Sequence, residues 1–301
     1  MITINIPSSY CGSDDNITQC LTHLPHQIGQ IRGLDYYVTL KQSKIKNLYE
    51  RRAMPIPEPT LADIQSEIRA LGKIYKGTPS VEDILSERKN AWRELYAFHN
   101  NVEDKLEEQV NLQFNDEYVT TCKQIDKIIA GPKDIVEKEL KSEIQNIKVP
   151  CDVQVKVHYS QKEQLAVLNA VFPWNIPIPT IKKVSHSRGT SVKDKLQREI
   201  HQEETECIIG MAFLMGGKAF AASPNIKTAV VAISKQTQYM LAVHLGRVPF
   251  CQEIQYMDVP SKLINLFPFL ADIRTVRNAM VMYPVWIRDF EAFDARLSYV
   301  L

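Results

Sequence analysis

Cys11, Cys20, His23 and His26 gather four of the chain's 6 cysteines and 7 histidines into sixteen consecutive residues. Thiolate and imidazole are the side chains that zinc takes in tetrahedral structural sites, where the metal substitutes for a core too small to hold a fold. The spacing, C-x8-C-x2-H-x2-H, contains one knuckle-like C-x2-H step and otherwise follows no standard finger. Two readings therefore stand side by side. The four residues are candidate zinc ligands, or they are separate core and surface positions.

A second group is cationic. Lys182, Lys183, His186, Arg188, Lys193, Lys195 and Arg198 make the most basic stretch of the chain, next to a predicted helix start at Ser191. Cations near a helix N-terminus can contact phosphates. No aromatic residue is interleaved, so nothing there stacks on bases. Duplex RNA, recognised by shape and backbone charge, is the nucleic-acid class this stretch fits, and a solvated loop is the alternative.

Catalytic patterns are sparse. The chain has no G-x-S-x-G elbow, Walker loop or G-x-G-x-x-G. Gly216-Gly217-Lys218 lacks the leading glycine and the Ser/Thr that would hold Mg²⁺. His201-Gln202-Glu203 matches half of a zinc-deaminase signature, but Pro249-Phe250-Cys251 is not followed by a second cysteine. His201 and Glu204 share a helical face on which a metal-dependent hydrolase could be built. With Glu199, Glu203 and Glu206 around them, they read as a solvated face. The chain is read as non-enzymatic.

The elements that must position these groups follow from periodicity. Ile2, Ile4 and Ile6 alternate as a short strand, and Val153, Val155 and Val157 as a half-buried one. Tyr36–Leu40, Thr228–Ile233, Tyr283–Ile287 and Arg296–Val300 are further strand candidates. Helices are predicted over 41–54, 60–71, 80–114, 118–130, 133–147, 161–171, 192–206 and 261–267. The proline-rich stretches Met54–Pro59 and Pro173–Pro179 read as stiff connectors.

At 301 residues the chain can hold one large domain or two ordinary ones. Lys plus Arg is 36 against 35 Asp plus Glu, so any attraction for nucleic acid must be local. Hydrophobic residues at 45% describe a folded chain, and scattered cysteines point to a reducing compartment. The first residues lack a basic region and an apolar run, so no signal peptide is expected. The apolar run Cys207–Ala222 is too short to cross a bilayer, and no membrane insertion is expected.

Two groups of residues carry a resemblance. His23-Leu24-Pro25-His26 is followed by Gln30-Ile31-Arg32 and Asp35-Tyr36-Tyr37-Val38; Leu266-Phe267-Pro268 is followed by Tyr283-Pro284-Val285-Trp286-Ile287-Arg288-Asp289. In order and separation they resemble segments of the reovirus outer-capsid protector protein family, sigma-three of orthoreoviruses and its aquareovirus counterpart. Weaker echoes lie around Trp92, Asp104-Lys105-Leu106 and Ser185–Arg188, and the good matches cover under a fifth of the chain.

The resemblance implies an α+β, two-lobed capsid subunit. Residues 1–45 with about 216–256 would form a small lobe carrying a zinc site, and 46–215 with about 257–301 a helix-rich large lobe. It implies a protein of the virion outer capsid, present in host cytoplasm during assembly. Such a protein caps a trimer of the membrane-penetration protein, forming a hetero-hexamer, until host endosomal proteases remove it. Some members bind double-stranded RNA and regulate the host response; the resemblance matches none of their basic residues one by one, so Lys182, Lys183, Arg188, Lys193, Lys195 and Arg198 stand as candidate contacts by their charge alone. The ligand pattern departs from the family's. Cys11 stands where the second of two paired cysteines belongs, Ser8 replaces the first, Gln27 stands in place of a later histidine, and no cysteine follows. Either Cys20, His23 and His26 have taken over the metal, or packing has replaced it.

Overall fold

The computed structural model describes residues 1–5, 14–52, 119–120, 122–186, 189–254 and 259–301. It mixes helix and sheet as an α+β fold. The strands are placed by their apolar content. Ile2–Ile4 (β1) and Val153–Ser160 (β2) begin in buried–exposed alternation, as a sheet margin with one packed face requires. Leu165–Phe172 (β3) and Thr228–Lys235 (β6) are buried almost throughout, which suits central strands covered on both faces. Gln238–Gly246 (β7) and Phe269–Leu270 (β8) complete a six-stranded sheet of order β1-β2-β3-β6-β7-β8.

All neighbours in this sheet are antiparallel except β3 and β6, which pair in parallel from Leu165 opposite Thr228 to Phe172 opposite Lys235. A parallel pair needs a long crossover. Here the crossover holds a hairpin, Ile181–His186 (β4) with Gly189–Asp194 (β5), and then a 26-residue helix.

That long helix, Gln197–Ala222, is the centre of the larger core. Every residue from Thr205 to Phe220 is buried. Asp14–Thr22 (α1) and Lys133–Gln145 (α3) share its apolar cluster with one face of the sheet. The long helix is α4, after α2 at Leu34–Arg52. The run expected to be too short for a bilayer belongs to this longer helix, whose apolar window has a mean hydropathy of 1.3 and lies 83% buried inside the fold. A helix that is apolar all round is what the middle of a core demands. Across the sheet a smaller cluster forms, where Phe290 of the helix Ile287–Phe293, with Leu297 and Val300, covers Leu165, Val167 and Val230.

The chain divides into two compact units, residues 1–37 with 127–301 and residues 38–126. The expected lobes placed boundaries at 45/46, 215/216 and 256/257; position 215/216 falls inside the uninterrupted α4. In the second unit, the described residues include the continuation of α2, where Lys41 Nζ is 2.7 Å from Asp126 Oδ1.

Several local expectations change in the fold. Tyr36–Leu40 is helical within α2, because its polar neighbours join a helix with Asp35 in the first turn. The segment predicted as a helix over 161–171 instead turns at 161–164, with Gln164 at φ 52, and continues as β3. Its Leu and Ala residues favour helix locally, but pairing with both β2 and β6 wins. Ser191 lies in β5 and caps no helix; α4 begins after Leu196, whose N–H is taken by Glu199 Oε2 at 2.9 Å. Of the late strand candidates, Tyr283 closes a small hairpin, Asp272–Val276 with Ala279–Tyr283, and Val285 makes a single bridge to Tyr239. Residues 295–299 form a 3₁₀ turn capped by Asp294, whose Oδ1 accepts from Arg296 N at 3.0 Å. The helices predicted over 60–71 and 80–114 lie outside the described residues.

Candidate functional site

The cysteine–histidine stretch is built around a proline turn. α1 ends at Thr22, and Leu24–Gln27 forms a 3₁₀ turn with Pro25 among its first residues, where a missing N–H costs nothing. The stretch divides its side chains between core and solvent. Leu21, Leu24, Pro25 and Ile28 are buried, whereas His23 and His26 are exposed with ring centres 5.2 Å apart.

Glycines on α4 receive the buried side. A Cβ added at Gly217 would stand 2.6 Å from Ile28 Cδ1 and Cγ1 and 2.7 Å from Cγ2. Ile28 therefore fills the space a side chain would need. At Gly210 the same atom would lie 3.5 Å from Pro25 Cδ and 3.7 Å from Leu24 Cβ, ordinary contact distances. Gly216 serves the sheet in the same way, with Leu245 Cδ1 filling its added Cβ position. Gly216-Gly217-Lys218 thus lies within a helix as a packing surface, with no loop for phosphate.

The metal reading can be set against this geometry. His23 and His26 place two imidazoles near each other on the surface, and Cys20 sits half-buried on α1. Among the described residues no three His, Cys, Asp or Glu side chains gather as a group able to hold a metal, and Cys11 lies outside them. The described donors make a two-histidine pair, short of the tetrahedral set of a closed zinc site. Gln27, in the place of the family's later histidine, clasps the backbone instead. Its Nε2 donates to Lys148 O at 2.7 Å, and its Oε1 accepts from Lys148 N at 2.8 Å. Arg247 fastens the end of the stretch. Its guanidinium donates to Arg32 O at 2.6 Å and to Ser223 O and Ile226 O, carbonyls at and beyond the end of α4, at 2.9 and 3.1 Å. Burial pulls this guanidinium below its ordinary pKa, with Cys251 and Tyr37 opposing.

The basic stretch meets the other half of α4. Lys182, on β4, pairs with Glu199, and Lys193 stands opposite it on β5. The hydrogen bond from Lys182, reinforced by the Leu196 N–H, holds the Glu199 carboxyl below its ordinary range. Lys195 has a side chain only 4% exposed, 2.6 Å from Glu203 Oε2, and donates to Thr18 Oγ1 on α1 at 3.0 Å. It ties three elements together and is not available to a phosphate. Lys183, Lys193 and Arg198 are exposed, and Arg188 lies outside the described residues.

The third candidate, His201 with Glu204, is also bound into the fold. His201 Nδ1 is 3.9 Å from Glu204 Oε2, while the other Glu204 oxygen accepts from Lys235. One turn on, a polar network that no sequence motif signals secures the small hairpin. Gln202 Oε1 accepts from Met280 N at 2.6 Å, and Gln202 Nε2 donates to Glu206 Oε1 at 3.1 Å. Glu206 also accepts from Ser261 N at 3.1 Å and from the Ser261 hydroxyl. Buried polar groups need such partners, so the network has a sufficient structural reason. The inner thiols are poor nucleophiles: burial, with Asp152 adding, pushes Cys151 up to about 12, and complete burial pushes Cys207 well above its ordinary value.

Compared with protein-family models, curated proteins and solved structures, the chain matches none of them significantly.

Proposed function

We propose that this chain is a structural protein of a viral outer capsid, which covers a trimeric membrane-penetration protein and is stripped from it by host endosomal proteases. The observation that carries the reading is that the first resembling segment as far as Tyr37, and the whole of the second, belong to one compact unit. The first lays Leu24, Pro25 and Ile28 on α4 and gives its Arg32 carbonyl to Arg247. The second sends Phe267 into the same core, with ring centres 5.7 Å from Phe213 and 6.3 Å from Phe250, and then bridges β7 through Val285. Residues far apart in sequence that build one body suit a role exerted by shape and association. The reading assigns no turnover of substrate.

The connector Pro173–Pro179, with Trp174 half exposed, is the expected cleavage region among the described residues. The test is assembly. Purified protein is mixed with a reovirus penetration-protein trimer, and with virus cores stripped of the outer shell. Stoichiometric capture, released by an endosomal cysteine protease, is expected. Absence of binding to both rejects the reading.

Zinc enters the proposal as a structural staple of the first segment. Elemental analysis of the purified protein and of Cys20→Ala tests it. One zinc per chain, lost in the variant, supports the retained site, and none in the parent protein leaves packing in its place. A second reading, a double-stranded-RNA-binding regulator, is favoured by the exposed Lys183, Lys193 and Arg198 on and beside one hairpin. It predicts a duplex-RNA complex that weakens steeply as salt rises, with a smaller salt slope in Lys193→Ala. Binding indifferent to salt removes it.

A further inference from the structure

A pocket of about 410 Å³ opens beside the second half of α4, and neither the capsid reading nor the packing of the first segment uses it. Its polar lining comes from Gln30, Arg32, Tyr37, Glu139, Glu143 and Lys218. Lys218 is the notable member. It lies in the apolar half of α4 with 8% of its surface exposed, where an ammonium group is costly to desolvate. Its Nζ donates to Glu143 Oε2 at 3.0 Å, the only acceptor it has among the described residues. An ammonium has three N–H donors, so two remain for whatever occupies the pocket.

The other charges on the lining have opposite signs. Arg32 gives its Nε to Gln30 Oε1 at 3.3 Å and stacks 4.5 Å from the Tyr36 ring centre, which leaves most of its fork without an acceptor among the described residues. The Glu139 carboxylate is exposed and makes no ion pair or hydrogen bond among them. Two cations and two carboxylates line one small volume, with no net excess of either sign. A simple anion would meet the carboxylates, and a simple cation would meet Arg32 and Lys218. A molecule carrying both charges satisfies each side.

We propose that this pocket binds a small zwitterion of the α-amino-acid class, its carboxylate taken by Lys218 and Arg32 and its ammonium by Glu139. At about 410 Å³ the pocket admits such a molecule with space to spare, so charge placement and not tight fit selects the ligand.

The test is calorimetric titration of the full chain with free L-amino acids bearing uncharged side chains. Acetate, inorganic phosphate and ethylammonium are titrated separately as single-charge probes. Saturable binding of at least one amino acid is expected, with the three single-charge probes at least about tenfold weaker, since a charge-assisted hydrogen bond is worth that much. Lys218→Met is expected to abolish binding. Because a buried residue is changed there, Glu139→Gln on the surface provides a second variant, expected to weaken binding about tenfold with the melting temperature unchanged. Acetate, phosphate or ethylammonium binding as tightly as the amino acid overturns the proposal. So does amino-acid binding that Glu139→Gln leaves intact, and so does the absence of any binding at about 10 mM.

Discussion

The two halves of the helix Gln197–Ala222 receive their neighbours by different physics. The first half carries carboxylates, and each one that meets a neighbouring element does so through a cation or donor: Glu199 with Lys182, Glu203 with Lys195, Glu204 with Lys235, and Glu206 with Ser261. The second half is apolar and receives Leu24, Pro25 and Ile28 by shape, through the space that Gly210 and Gly217 leave open. The cysteine–histidine stretch and the basic stretch were both singled out for chemistry, and both dock on this one helix. Residue types that could hold a metal or a phosphate are placed here beside an interface whose strength lies in packing or in ion pairs.

Breaking the shape-held half should cost most. Leu24→Ala empties a fully buried site, and unfolding in denaturant is expected to show a loss of about 2–5 kcal/mol. Gly217→Val is expected to cost about 1–3 kcal/mol by overpacking against Ile28, and an unchanged midpoint would contradict the close approach.

In the charge-held half, Glu203→Gln leaves the Lys195 ammonium buried without its counter-charge, for an expected loss of about 1–3 kcal/mol. Adding Lys195→Met removes that stranded charge, so the double variant should recover much of the loss. A double variant no better than the single one would mean that Lys195 acts through its packing and not its charge. Gln27→Ala, which removes both bonds to Lys148 at an exposed site, is expected to cost only about 0.5–1.5 kcal/mol.

The smallest effect lies outside α4 and serves as a control. Burial holds His244 below the ordinary imidazole pKa; Asp294 pulls the other way, and Arg296 adds to the depression. As the pH falls through the unfolded value of about 6.5, the unfolded chain takes a proton before the folded one does, so stability declines until the folded group titrates as well. His244→Gln should flatten the melting temperature between neutral and mildly acidic pH, and an unchanged slope would show that other groups govern it.

Much of the sheet was legible because period-2 alternation and β-branched runs are local signals. β1, β2 and β6 fall where the pattern places them, and the helix at Lys133–Gln145 lies within its predicted bounds. The misreadings share a cause. Residues 165–172 and 296–300 carry helix-compatible and strand-compatible residues respectively; pairing with β6 decides the first, and the Asp294 side-chain cap decides the second. The candidate sites show the same limit. Composition picked out Cys20, His23, His26, Lys182 and Lys195, but nothing in a linear pattern says that Lys195 is 4% exposed against Glu203. Nor does it say that Gln27 faces Lys148.

By itself, the sequence determined the supply: a near-neutral chain, a scarce ligand cluster, a basic stretch, and an apolar run punctuated by Gly210, Gly216 and Gly217. Only the tertiary structure decided how that supply is used. The parallel β3–β6 pair requires a crossover, the crossover places α4 in the core, and burial then makes small residues into sockets and carboxylates into anchors. Whether a side chain does chemistry or holds the fold depends on its solvent access and on its partners. Both are properties of long-range contacts.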